Sequence, residues 1–268
     1  MGEALVVTSG KGGVGKTTAV AGLGAALALE GRSVALVDAD IGLRNLDLAL
    51  GLENLIVYDL LDVVAGTCVL RQALIRDRRY PNLWLLPAAQ TRDKAAVAPE
   101  QMAALTARLK EEFEFVIVDC PAGIEQGFRN AVAGADRAVI VTMPEVTAVR
   151  DAARVKVLLD SLGVPVAGML LNRFRAKMAR RGDIMGVDDT VDILSMELLG
   201  VIPEDDAVVR LGNLGEPPVS GKTPAALAFR QVAKRLAGYE AEGDRSLAGF
   251  LRGMFRAGQA RGMGGAGT

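Results

Sequence analysis

The sequence predicts a three-layer α/β fold, a mainly parallel, twisted sheet with helices packed on both faces. Three observations carry the prediction. Short runs of valine, isoleucine and leucine alternate with stretches of helical pattern, the βαβ rhythm of a parallel sheet. The runs are near-continuous in apolar residues, as strands covered on both faces are. The first run passes through a glycine-rich loop directly into a helix.

In chain order, the expected strands are ALVVT (4–8), SVALVD (33–38), NLWLLP (82–87), FVIVD (115–119), AVIVTM (138–143), VAGMLL (166–171) and LGVI (199–202). The helices between and after them are expected at 16–30, 57–64, 99–111, 125–134, 146–162, 190–198 and 224–237. Asp189 and Thr223 stand where N-caps belong, and Pro224 occupies a first helical position. Segment 173–189, with Arg180, Arg181 and Gly182, is polar and reads as a loop. The expected organisation is a nucleotide-type α/β domain over 1–238 and a polar linker over 239–246. An amphipathic helix over 247–257 and a disordered glycine-rich tail over 258–268 complete it.

Composition narrows the chemistry. A chain of 268 residues, half of them apolar, suits a single open α/β domain with a sizeable core. A net charge of −1 and a pI near 5.7 argue against a nucleic-acid binder. Cys68 and Cys120 are far apart, in no metal-ligand spacing and with no disulfide framework, which fits a reducing compartment. There is no histidine. Any hydrolysis therefore relies on carboxylates, lysines, backbone groups or a bound metal ion. Neither a signal peptide nor a transmembrane run is apparent, so a soluble, cytoplasmic protein is expected.

The loop after the first strand is the strongest motif. Gly10, Lys11, Gly12, Gly13, Val14, Gly15, Lys16 and Thr17 match GxxxxGK(S/T), with Thr18 following, between a strand and a helix. Glycines let backbone N–H groups turn inward as a cradle for phosphate oxygens, and the helix N-terminus attracts the anion. Lys16 would contact the β- and γ-phosphates and Thr17 would ligate Mg²⁺. Two more strands end in aspartate. ALVDAD carries Asp38 and Asp40, two apart and on one side of an extended end. FVIVD ends in Asp119, the Walker B pattern for holding Mg²⁺ directly or through water. All three lie at carboxyl ends of strands, where open α/β sheets bind ligands.

The early lysine of KGGVGKT makes the chain resemble the deviant Walker A ATPases of the MinD/ParA group, and its division-site members in particular. Further strings carry the likeness: DADIGLRNLDLALG (38–51), PAAQTRDK (87–94), DCPAGIEQG (119–127), PEVTAVRDA (144–152), RGDIMGVDD (181–189), LLGVIPEDDAVVRLGNLGEP (198–217) and the tail. Cys120 departs from the serine common in the group and is expected to be a small buried residue rather than a redox centre.

The resemblance implies an ATP-dependent homodimer in which Lys11 reaches the nucleotide of the other subunit. A cation supplied in trans stabilises both the dimer and the charge that develops in phosphoryl transfer. It implies that Asp151 receives Lys11 when ATP is absent. It further implies that Asp40 orients the attacking water and that Asp38 and Asp119 join Thr17 around Mg²⁺. The catalytic set is thus Lys11, Lys16 and Asp40. The adenine contacts fall on Asn172, Arg173 and the backbone around Pro203 and Glu204, although Asn172 equally suits a turn after a strand. The implied partners are a MinC-like division inhibitor, a MinE-like or other topological factor that stimulates hydrolysis, and anionic membrane lipid, with no specific nucleic acid.

In the tail, Leu247, Phe250, Leu251, Met254 and Phe255 recur at i, i+3, i+4, i+7 and i+8, one apolar stripe. Arg245, Arg252 and Arg256 lie opposite, the pattern of a helix that rests in a membrane interface. About eleven residues is a marginal helix in water, and Gly249 and Gly253 each cost about 1 kcal/mol relative to alanine. One tail would therefore hold weakly, and two on a dimer far better. The alternative is a helix docked on the protein's own core or on a partner. The expected function is an ATPase that dimerises on ATP, attaches to the inner face of the cell membrane and recruits a division inhibitor. A DNA-binding partition ATPase, an iron–sulfur carrier and a non-hydrolysing nucleotide-gated scaffold are the rivals. The acidic pI, the lack of a CxxC pair and the intact Lys16, Thr17, Asp40 and Asp119 respectively oppose them.

Overall fold

The computed structural model describes residues 2–90 and 97–238. In chain order the strands are β1 (Glu3–Thr8), β2 (Val34–Asp38), β3 (Ile75–Arg76), β4 (Leu83–Leu86), β5 (Phe115–Asp119), β6 (Arg137–Thr142), β7 (Val166–Phe174) and β8 (Leu198–Pro203). The helices are α1 (Lys16–Leu29), α2 (Leu46–Leu50), α3 (Leu60–Ala65), α4 (Leu70–Ala73), α5 (Pro99–Glu112), α6 (Gln126–Val132), α7 (Val146–Ser161), α8 (Ala176–Arg181), α9 (Val187–Leu194), α10 (Asp206–Asn213) and α11 (Pro224–Leu236). The sheet order is β3-β4-β2-β5-β1-β6-β7-β8, parallel except for the β3–β4 pair.

The three layers follow from strand periodicity. Leu5 and Val7 of β1 face one side of the sheet, with Leu36 and Ile117, and meet α1 and α11 through Leu23 and Phe229. Ala4 and Val6 face the other, with Val37 and Val118, and meet α5, α6 and α7 through Leu109, Phe128 and Leu159. Both faces are thus covered, which is why the strands lack polar alternation. The order in which strands are added changes sides at β1, which pairs in parallel with both β5 and β6. That is the switch point at which open sheets form a ligand crevice.

Several expectations need correction. Segment 173–189 is not one loop: β7 runs on to Phe174, α8 follows, and α9 begins at Val187. The helix expected over 190–198 ends at Leu194, and β8 starts at Leu198. Asp189 does not cap α9. Gly186 is the N-cap, and Asp189 reaches back from the third helical position to accept from the Gly186 N–H at 3.1 Å. The helix expected from 57 starts at Leu60, because Asp59 caps it by accepting from Leu61 and Asp62 N–H groups. Thr223 does cap α11, accepting from the Ala226 N–H at 3.2 Å. The linker, the amphipathic stripe of Leu247, Phe250, Leu251, Met254 and Phe255, its arginines Arg252 and Arg256, and the tail lie outside the described residues.

Candidate functional site

The glycine-rich loop joins the carboxyl end of β1 to α1 and is shaped by its glycines. Gly13 (φ 78°) and Gly15 (φ 95°) adopt left-handed backbone, a region that glycine enters without a Cβ penalty. Gly15 is also crowded, since a Cβ there would lie 2.3 Å from Asn172 Nδ2. Gly10 lies against α7, where a Cβ would fall 2.3 Å from the Asp151 carbonyl oxygen. Substituting Gly10 by alanine must therefore push α7 from the loop. We expect a loss of about 1–3 kcal/mol of stability, typical of overpacking, read from urea denaturation. An unchanged midpoint would contradict this packing.

The two lysines of the loop have opposite surroundings. Lys16, the first residue of α1, is only 9% exposed. It lies close enough to Asp119 to oppose that residue's burial. The Lys11 side chain is 45% exposed and meets Glu145 Oε2 at 3.9 Å. Its backbone is held by the Ser9 hydroxyl, which donates to the Lys11 carbonyl at 2.8 Å. The expected resting contact of Lys11 on Asp151 is not formed. Asp151 accepts from Arg154 at 3.3 Å instead, one helical turn along α7. Glu145, just before that helix, carried no local signal of this role in the sequence, and neither did Ser9.

The β2–β5 register places Asp38 directly opposite Asp119. Asp38 is 1% exposed and accepts from the Asp40 N–H at 3.0 Å and the Leu46 N–H at 3.3 Å. Burial, reinforced by the Asp119 charge, pushes its carboxyl up to about 8. Burial likewise raises Asp119 to about 7, against a hydrogen bond from the Thr17 hydroxyl and the nearby Lys16 charge. Asp119 Oδ1 is buried without a hydrogen-bond partner. The donors are hydroxyl and carboxylate oxygens, the chemistry that Mg²⁺ prefers. Among the described residues no cluster of three or more Asp, Glu, His or Cys side chains could hold a metal alone. Such a set matches an ion bound by few protein oxygens and completed by phosphate and water. A cation there would relieve the desolvated carboxylates. Cys120 is buried and its thiol is pushed up to about 12 by burial, so it is inert as expected.

Of the residues assigned to adenine, Asn172 touches the loop at Val14 and Gly15, and Pro203 and Glu204 lie beside Phe174, two residues along β7. Asn172, 6% exposed, donates through Nδ2 to the Val14 carbonyl at 2.8 Å, and its Oδ1 accepts from the Arg173 N–H. Arg173 itself has left-handed backbone (φ 54°), uncommon outside glycine. Pro203 stands opposite Phe174 in the β7–β8 pair. The Glu204 N–H donates to the Phe174 carbonyl at 3.1 Å. The Glu204 carboxylate pairs with Arg175, which sequence reasoning missed, and lies 3.7 Å from Arg173. Met143, Glu145, Arg173, Arg175 and Glu204 line a small pocket beside the loop.

Residues 5–219 match the model of the CobQ/CobB/MinD/ParA nucleotide binding domain. The chain belongs to the MinD/ParA family. Within it, the similarities lie on the MinD branch. The chain is 54% identical over 241 residues to the septum site-determining protein MinD of Bacillus subtilis, covering 89% of this chain and 90% of that protein. It is 51% identical to the MinD of Synechocystis, covering 90% and 91%. Among solved structures, the MinC:MinD cell division complex of Aquifex aeolicus matches with a TM-score of 0.84 and 46% identity, over 91% of this chain and 99% of that one. The Pyrococcus horikoshii MinD complexed with Mg-ADP matches with a TM-score of 0.81 and 32% identity, over 90% and 100%. Membership of this MinD branch makes the chain an ATPase that acts in septum-site determination.

Proposed function

We propose that the chain is a nucleotide-gated membrane switch in which Lys16 acts in its own subunit and Lys11 in the partner's. The observation that carries this reading is the contrast between the two lysines of one loop. Lys16 is turned into the protein toward the carboxylates, whereas Lys11 is turned outward. A buried cation beside the cradle serves the bound phosphates. A cation at the surface serves a second copy of the chain.

In this reading the loop N–H groups from Gly10 to Thr18 and Lys16 bind the triphosphate of ATP. Thr17, Asp38 and Asp119 hold Mg²⁺, which supplies charge neutralisation for phosphoryl transfer. Asp40, beside Asp38 at the end of β2, orients the attacking water. No histidine is needed, since positioning and electrostatics dominate this reaction. Asn172, Arg173 and the backbone at Pro203 and Glu204 hold the base. A side-chain amide offers adenine both a donor and an acceptor.

Dimerisation then governs location. Among the described residues no helix is long and apolar enough to cross a membrane. The basic amphipathic stripe of 247–257 supplies a peripheral anchor on the inner face of the cell membrane. Joining two such tails raises avidity by roughly 10²–10⁴-fold. On the membrane the dimer recruits a MinC-like inhibitor, as in the Aquifex complex of that name. A MinE-like or other topological factor stimulates hydrolysis and releases it. Pelleting with anionic vesicles tests the switch. We expect sedimentation with ATP and little with ADP, and loss of the ATP-dependent fraction on deleting 247–268. Equal sedimentation with both nucleotides, or full binding without the tail, would defeat the reading.

A further inference from the structure

Outside the glycine-rich loop, Arg79 gathers three segments that the sequence keeps well apart. It follows β3, and its guanidinium donates to the Leu50 carbonyl at the end of α2 and to the Gly215 carbonyl, the latter at 2.8 Å. The same group is held by Asp77, with Nη2 at 2.9 Å and Nε at 3.3 Å from the two carboxylate oxygens. Asp77 is 1% exposed and also accepts from the Arg79 and Tyr80 N–H groups. Arg79 is therefore fixed in direction before it reaches the two carbonyls.

Those carbonyls belong to segments in backbone contact. Gly51 (φ 61°) and Gly215 (φ 65°) are both left-handed, and a Cβ on Gly215 would lie 2.6 Å from the Gly51 Cα. A carbonyl on each side of this junction accepts from Arg79. Each side also leads to the nucleotide site. Gly215 follows α10, whose N-cap Asp205 adjoins Glu204 and accepts from the Ala207 and Ala225 N–H groups. Leu50 ends α2, whose first residue, Leu46, donates its N–H to Asp38 Oδ2. A five-residue helix has too few internal hydrogen bonds to hold its own orientation. Its placement rests on what clasps its two ends.

We propose that Arg79 is a positioning residue for the metal side of the site. By fastening the end of α2 to Gly215, it keeps the Leu46 N–H on Asp38 and so fixes the direction of that carboxylate. The proposal rests on the reading of Asp38 as a carboxylate of the Mg²⁺ site. The Leu46 N–H touches Asp38 directly, and loss of such a contact to a metal ligand commonly lowers affinity by about 10–100-fold; Arg79 acts on it through the far end of α2.

The test uses the full chain and three variants, Arg79→Ala, Arg79→Lys and Asp38→Asn. Hydrogen exchange without nucleotide should show faster exchange of the 46–51 amides in Arg79→Ala, with those of β1 and β5 unchanged. The Mg²⁺ concentration that half-saturates hydrolysis should rise by several-fold, up to about 10-fold, while the ATP requirement at saturating Mg²⁺ stays near that of the unaltered chain. Arg79→Lys retains a charge but not the fork. It should give intermediate values, and it carries the test if the alanine variant does not fold. A fall in melting temperature with unchanged Mg²⁺ dependence would reduce Arg79 to a structural brace and overturn the proposal. If Asp38→Asn leaves the Mg²⁺ dependence unaltered, the assignment of Asp38 fails, and the proposal with it.

Discussion

Replacing Lys11 by alanine should abolish the ATP-held dimer and lower hydrolysis by about 10³-fold or more, the scale of a missing arginine finger, while ATP binding to the single chain persists. The surroundings of Lys11 set this expectation. At 3.9 Å from Glu145, with both side chains about half exposed, its ion pair is loose. Exposed pairs of this kind contribute about 0–1 kcal/mol. Glu145 therefore parks the ammonium without committing it. A triphosphate in a water-poor interface offers a far stronger partner, because Coulomb attraction grows as the effective dielectric falls. That attraction, set against the cost of desolvating the ammonium, favours transfer from Glu145 to a partner's nucleotide. Light scattering with a non-cleavable ATP analogue and Mg²⁺ measures the dimer, and released phosphate measures the rate. A Lys11→Ala chain that still dimerises fully would refute the role in trans.

Asp40→Ala should separate the two functions in the opposite sense. Hydrolysis should fall by about 10²–10⁴-fold, the usual contribution of a residue that handles the attacking group. The dimer should accumulate with ATP, since nothing then consumes the phosphate that joins it. Asp40 is suited to this role by its position. It lies just past β2, and its N–H donates to Asp38 Oδ1 at 3.0 Å, so its backbone is fixed. It is less buried than either Asp38 or Asp119. Sizing by light scattering with ADP and with ATP distinguishes the cases. An Asp40→Ala chain that binds ATP yet stays single would contradict the assignment. Together the variants predict a simple contrast, with one side chain needed to form the joint and the other to dissolve it.

Much of the architecture was legible because its signals are local. Each of the seven expected strands is present, since runs such as FVIVD can satisfy their apolar surface only between two helical layers. The shortest elements were missed. α2, α4, α8 and α10 have four to eight residues, and β3 has two. Such pieces are stabilised by what they pack against rather than by their own periodicity. The boundary of α9 shifted for a related reason. Asp189 has the composition of a cap, but Gly186 precedes it with an extended backbone, and the carboxylate reaches back to it. Composition alone does not reveal which of several polar residues starts a helix.

The site divides along the same line. By itself the sequence located the glycine-rich loop with Lys16 and Thr17 and the strand-terminal aspartates, because that pattern is written within a few consecutive residues and needs only a strand before it and a helix after. Tertiary structure alone decided that Asp38 faces Asp119 and that Lys11 rests on Glu145 rather than Asp151. It also decided that Asn172 is tied to Val14 and that Arg79 clasps Leu50 to Gly215. These are contacts between segments tens to more than a hundred residues apart. They depend on strand register and on the angle at which helices lie on the sheet, which emerge only when the whole core packs.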